Sequence, residues 1–130
     1  MGNLRLHMKK IFVIEDEKIL GEMYESTLES QGFEVKVIRD GESAVQEAKK
    51  EKPDLILLDL LLPRLRGEEV LKNLKSNSET RNIPVFILTN YDTPEDREMG
   101  NNLGAEKYIL KTSITPKEIA EMVEERLKDN

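Results

Sequence analysis

The sequence predicts an α/β protein, a doubly wound five-stranded parallel sheet with strands in the order 2-1-3-4-5. Three observations lead there. Five short apolar runs recur along the chain, and each is followed by a segment whose apolar residues fall at helical spacing. One run, "DLILLD" at 54–59, is apolar almost throughout, as expected of a strand covered on both faces. The 130 residues contain no low-complexity stretch and no linker, so the alternation fills one domain. Alternating strands and helices imply a parallel sheet with right-handed crossovers and helices on both sides.

Each element has its own justification. "KIFVIE" (10–15) is the first strand, followed by a helix over 17–31 in which Leu20, Met23, Thr27 and Leu28 form one stripe, closed by Gly32. "FEVKVI" (33–38) alternates Phe33, Val35 and Val37 with Glu34 and Lys36, the period of a half-covered strand, which belongs at the sheet edge. "GESAVQEAKKE" (41–51) is helical and Pro53 stops it. After the strand at 54–59, a Pro63–Gly67 turn leads into a third helix, "EEVLKNLKS" (68–76), and then "PVFILT" (84–89) makes the fourth strand. Asp92, Thr93 and Pro94 start a helix over 95–104, and "EKYIL" (106–110) is the fifth strand. Thr115 caps the last helix (116–128), with Pro116 at its first position and Ile119, Met122, Val123 and Leu127 on one face. The whole is a flavodoxin-like (βα)5 arrangement, whose ligands bind beyond the carboxyl ends of the strands where the strand order reverses, here between strands one and three.

Composition narrows the function. A net charge of −6 argues against nucleic acid or an anionic membrane as a partner. No cysteine is present, which excludes disulfides and thiolate metal sites, and no apolar run approaches a membrane span or a signal peptide. A cytoplasmic protein is expected. Residues 1–8 show no clear period and read as a frayed or appended end before a domain over 9–130; His7, the one histidine, has no second ligand nearby.

The carboxyl edge carries the chemistry. Strand one ends in Glu15, Asp16 and Glu17, strand three in Asp59, strand four in Thr89 and strand five in Lys111, while Arg39 and Asp40 end strand two off to the side. Unit charges about 4 Å apart repel by roughly 4 kcal/mol at an effective dielectric near 20, so acids gathered at one point call for a cation among them. Oxygen ligands of this kind, few in number, suit a partly hydrated Mg²⁺. A carboxylate beside such an ion can attack phosphorus and become an acyl phosphate; the ion and Lys111 would neutralise the transferring group, and the Thr89 hydroxyl would donate to it. Singly, each residue has a plainer reading: first-turn acids favoured by a helix dipole, a turn aspartate, a strand threonine, a solvated lysine. It is their meeting on one rim that argues for phosphoryl transfer to Asp59.

With these residues in place, "VIEDE", "LILLDLLLPRLRGEEVL", "PVFILTN" and "GAEKYILK", in this order and spacing, make the chain resemble the receiver domains of two-component response regulators, the CheY-like family, over about residues 9–128. The resemblance implies that Asp59 is the phosphoacceptor, that Glu15, Asp16 and Asp59 hold Mg²⁺ with the backbone carbonyl of Leu61, and that Thr89 and Lys111 contact the phosphoryl group. It implies that Tyr108 changes rotamer with state, that Leu61 and Tyr91 govern access of attacking water, and that hydrolysis is slow because both are bulky. It implies a sensor histidine kinase, a histidine phosphotransfer protein or a small acyl phosphate as donor. Output would pass through the α4-β5-α5 face (fourth helix, fifth strand, fifth helix) to another protein or to a second copy as a homodimer, with no output domain in these residues.

Three positions depart from the family pattern. Thr112 stands where proline in a cis bond is usual, so the loop is trans or strained. Arg66 replaces an acid or amide, and Asn90 replaces a small residue, crowding the phosphoryl pocket. On these grounds a pseudo-receiver, an interaction module without phosphoryl chemistry, is the alternative. An aspartyl phosphohydrolase would place D-x-D after strand one, and a flavin or dinucleotide binder a Gly- or Ser/Thr-rich loop; "EDE" is neither.

Overall fold

Runs of β-branched and aliphatic residues become five parallel strands: β1 (Lys10–Ile14), β2 (Glu34–Ile38), β3 (Leu55–Asp59), β4 (Val85–Thr89) and β5 (Lys107–Leu110). The computed structural model describes residues 8–62, 64–91 and 93–128; His7, Pro63 and Asp92, named above, lie outside the described residues. The strand order is β2-β1-β3-β4-β5, as the alternation predicts. Between the strands run α1 (Lys18–Ser30), α2 (Gly41–Glu51), α3 (Gly67–Ser76) and α4 (Pro94–Asn102), with α5 (Pro116–Leu127) closing the chain.

Side-chain alternation along the strands feeds two cores. Phe12, Ile14, Ile56, Leu58, Val85 and Ile87 point to the face covered by Ala44 and Ala48 of α2 and Val70, Leu71 and Leu74 of α3. Ile11, Val13, Leu55, Leu57, Phe86 and Leu88 point to the other, covered by Tyr24 and Leu28 of α1 and Ile119, Ala120 and Val123 of α5. Every residue of β3 and β4 is buried, which explains their unbroken apolar sequence. β2 stays half-covered at its edge, as its alternation predicts.

Local signals end the helices where the sequence places them. Gly32, at φ 97°, allows the Phe33 N–H to reach the Leu28 carbonyl at 3.2 Å and the Gly32 N–H to reach Glu29 at 3.0 Å, satisfying the open carbonyls of α1. Asp40 caps α2 by accepting from the Ser43 N–H at 2.9 Å, Thr93 caps α4, and Thr115 and Glu118 form a reciprocal capping box on α5.

One face is placed differently from its sequence reading. Met23 is 47 % exposed, and Gly21, Tyr24 and Leu28 form the buried stripe of α1. The close approach of α1 to β2 sets this rotation: a Cβ on Gly21 would lie 3.3 Å from Val37 Cγ1. Among the described residues, no helix is long and apolar enough to cross a membrane.

A candidate phosphoacceptor and metal site at the carboxyl edge

Strand register brings the acids together. Ile14 of β1 pairs with Leu58 of β3, so one step further along each strand Glu15 stands beside Asp59. On the other side Asp59 pairs with Leu88, and Thr89 pairs with Leu110, which places Lys111 one step past the threonine. Glu15, Asp59 and Thr89 are buried, at 1 %, 4 % and 1 % exposure. Glu15, Asp16 and Asp59 each offer a carboxylate oxygen, and these oxygens lie within 4.8 Å of one another. An octahedral ion with ligands near 2.1 Å needs oxygens about 3 Å apart at right angles and about 4.2 Å apart across it, so the donor set suits Mg²⁺ in chemistry and lies near enough to close onto one ion by a small movement of the side chains.

Lys111 supplies the positive charge among the acids. Its Nζ lies 2.8 Å from Glu15 Oε1 and 3.4 Å from Asp59 Oδ1, with only 9 % of the side chain exposed. The Leu61 N–H donates to Asp59 Oδ1 at 3.2 Å, and the Glu17 N–H donates to Glu15 Oε2 at the same distance. Burial, followed by the Glu15 charge, outweighs Lys111 and the Leu61 N–H, and pushes the Asp59 carboxyl up to about 7. Added positive charge beside this acid would favour its ionised form.

The departures resolve physically. All peptide bonds among the described residues are trans, and Lys111–Ser113 form a single 3-10 turn that aims the lysine inward without a proline. Asn90 is exposed and does not crowd the site; the Tyr91 N–H, next along, donates to Thr89 Oγ1 at 3.1 Å. Tyr108 donates its hydroxyl to the Tyr91 carbonyl at 2.8 Å, and the Arg97 guanidinium stands 5.0 Å over its ring. Leu61 and Tyr91, 47 % and 55 % exposed, line a cavity together with Thr89.

Two residues went unassigned in the sequence reading. Arg39, placed off to the side there, donates from Nη2 to the Asp16 carbonyl at 2.9 Å and so braces the acidic loop. Arg97 packs on the tyrosine expected to switch. An arginine one residue past an edge strand was the available signal for the first; nothing local marked the second.

A five-stranded sheet of this order with an acid cluster and a lysine on its carboxyl rim defines a phosphoryl-receiving signalling class, and the comparisons agree. A family model described as the response regulator receiver domain matches residues 11–124, and the chain belongs to that family. It is 40 % identical over 111 residues to the alkaline phosphatase synthesis transcriptional regulatory protein PhoP of Bacillus subtilis, covering 85 % of this chain and 45 % of that protein. It is 43 % identical to the phosphate regulon transcriptional regulatory protein PhoB of Escherichia coli, covering 85 % and 48 %. The chain thus spans about half the length of the curated relatives it matches. Among solved structures, chemotaxis protein CheY4 of Vibrio cholerae superposes with a TM-score of 0.85 at 28 % identity, covering 92 % of this chain and 99 % of that one. The receiver domain of sensor histidine kinase PA1611 from Pseudomonas aeruginosa, with a magnesium ion coordinated in its active-site cleft, gives 0.81 at 27 % identity, covering 91 % and 96 %. The chain is a receiver domain of the two-component type.

Proposed function

We propose that residues 9–130 form a cytoplasmic phosphoacceptor switch in which Asp59 takes a phosphoryl group. The observation that supports it best is the Asp59 carboxylate, buried beside Glu15 and within 3.4 Å of the Lys111 ammonium. A phosphohistidine of a sensor kinase or phosphotransfer protein, or a small acyl phosphate, is the donor. An Asp59 carboxylate oxygen bonds to phosphorus as the bond from phosphorus to the donor nitrogen or acyl oxygen breaks, and the leaving group departs with the electron pair. Glu15, Asp16 and Asp59, with the Leu61 carbonyl, would hold Mg²⁺, which when bound neutralises negative charge on the acids and the phosphoryl oxygens. Lys111 shares that task from the other side. Thr89 exchanges its bond from the Tyr91 N–H for one it donates to a phosphoryl oxygen.

The same exchange reaches the output surface. Thr89, Tyr91 and Tyr108 are linked through the backbone N–H and carbonyl of Tyr91, so movement of the threonine shifts the tyrosine and the face formed by α4, β5 and α5. That face then binds a downstream protein or a second copy. Relatives named as transcriptional regulators support a role in gene control, while the −6 charge of this chain argues against these residues themselves binding nucleic acid.

Mass spectrometry after incubation with Mg²⁺ and acetyl phosphate tests the reading. One phosphoryl group on the wild type and none on Asp59→Asn is expected; a group that persists in the variant overturns the site. Leu61 and Tyr91, which line the cavity with Thr89, restrict attacking water, so Tyr91→Ala shortens the phosphoryl lifetime; an unchanged lifetime refutes that role.

A further inference from the structure

A cavity of about 240 Å³ opens beside the site, between the loops that follow β3 and β4. Thr89 lines it together with Leu61 and Tyr91, and its charged lining among the described residues is Arg66, Glu68 and Asp96. Arg66 is the one cation in that lining. It belongs to the acceptor's own neighbourhood: a Cβ on the next residue, Gly67, would lie 2.4 Å from the Asp59 carbonyl oxygen. Its Nε pairs with Glu68 Oε1 at 2.8 Å, and its side chain is 71 % exposed.

A small phosphodonor arriving here is an anion meeting an acidic rim. Lys111 is already committed to Glu15 and Asp59, is 9 % exposed and is not among the residues that line the cavity. The cavity offers Thr89 at its inner end, apolar walls for an acyl group, and a guanidinium, the side chain that pairs with phosphate through two parallel bonds. We propose that Arg66 is a specificity-determining residue that captures small anionic phosphodonors of the acyl phosphate class in this cavity, with Glu68 as the competing partner that holds it when no donor is bound. The inference rests on the phosphoacceptor reading of Asp59. Arg66 binds the donor's phosphoryl oxygens; Asp59 then forms the new bond to phosphorus, and the acyl carboxylate leaves with the electron pair of the broken bond.

The test is phosphorylation kinetics of the full chain with acetyl phosphate and Mg²⁺. Arg66→Gln is expected to raise the half-saturating donor concentration about fivefold, the size of a lost charged hydrogen bond at a solvated site, with a smaller change in the saturating rate. Ionic strength then affects the variant less than the wild type, and Arg66→Lys restores part of the loss. Glu68→Gln lowers the half-saturating concentration in the wild-type background and has no such effect in Arg66→Gln. Acetonylphosphonate, which has a carbon in place of the labile oxygen, shifts the Arg66 Nε–H resonance in the wild type without any transfer.

A half-saturating concentration unchanged in Arg66→Gln, or an equal effect of Glu68→Gln in both backgrounds, overturns the role of Arg66 while leaving Asp59 as acceptor. A wild type that takes no phosphoryl group at all overturns both. The side chain's exposure keeps fold loss out of the comparison.

Discussion

Asp59 is held in its neutral form more readily than a solvated aspartate because it is buried beside Glu15. With its folded value raised to about 7 from 3.8, the folded state keeps a proton that the unfolded chain releases between those values. Stability from this group is therefore full below pH ~4, falls as pH rises through ~7, and is flat above. In metal-free buffer Asp59→Asn, which cannot ionise, is expected to be more stable than wild type by on the order of 2 kcal/mol at pH 8 and equal to it near pH 4, read from urea midpoints. Equal stability of the two at pH 8 would mean that the carboxylate is better solvated or better paired than its burial implies. The acids, threonine and lysine of this site were legible in the sequence because each ends a strand, and strand ends share one rim in a parallel sheet. Arg39 and Arg97 were not, since a flexible side chain's partner depends on tertiary placement that no local period encodes.

Elements meet at Gly67, where α3 starts against the backbone of β3. Its N–H donates to the Leu60 carbonyl at 2.9 Å, and a Cβ there would lie 2.4 Å from Asp59 O and 2.6 Å from Leu60 Cα. Backbone atoms cannot step aside as a side chain tip does. Gly67→Ala should cost about 2 kcal/mol in chemical denaturation, as other overpacked sites do, and slow phosphorylation of Asp59 by displacing it. At the opposite end of the sheet, β1, β2 and α2 are tied by Lys10, Lys36, Glu47 and Glu51. Lys10 Nζ lies 3.2 Å from Glu51 and Lys36 Nζ 2.6 Å from Glu47, and Lys36 also bonds Glu51. The Lys36 bond, with help from Lys10, holds the Glu51 carboxyl down at about 2 against an ordinary 4.5. A lowered carboxylate adds stability above its unfolded value and loses it as pH falls through the folded one. Glu51→Gln should thus lose under ~1 kcal/mol at pH 7, after solvent screening, and nothing near pH 2; a constant deficit across that range would assign the effect to packing.

The elements themselves were read within a residue or two because hydrophobic period, Gly32, Thr93 and Thr115 all mark them locally. The face of α1 was not. Met23 and Tyr24 are neighbours in a segment with apolar residues on several sides, and only the approach of Gly21 to Val37 decides that the tyrosine turns inward.

On the scale of the whole molecule, the receiver works as a switch only if events at Asp59 reach the face made by α4, β5 and α5. The visible connection is short: Thr89 Oγ1 accepts from the Tyr91 N–H, and the Tyr91 carbonyl accepts from the Tyr108 hydroxyl, whose ring lies under Arg97 of α4. Tyr91 thus faces the acceptor site with its N–H and the output face with its carbonyl, through two successive peptide units. A phosphoryl group that draws Thr89 toward itself removes the acceptor for that N–H and biases the whole loop, a population shift between two arrangements. Tyr108→Phe keeps the ring and its packing and deletes one hydrogen bond of about 1 kcal/mol, which is about fivefold in the equilibrium between the arrangements. The expected result is that the variant takes phosphoryl at the wild-type rate while the phosphorylation-induced NMR shifts at Arg97 and Lys107 shrink severalfold. Coupling is reciprocal, so any partner that binds the phosphorylated face more tightly must also favour phosphorylation, and this enhancement should weaken in Tyr108→Phe by the same factor. Full-sized shifts in the variant would show that the signal leaves Asp59 by another route, for which the Gly67 contact between β3 and α3 is the available path.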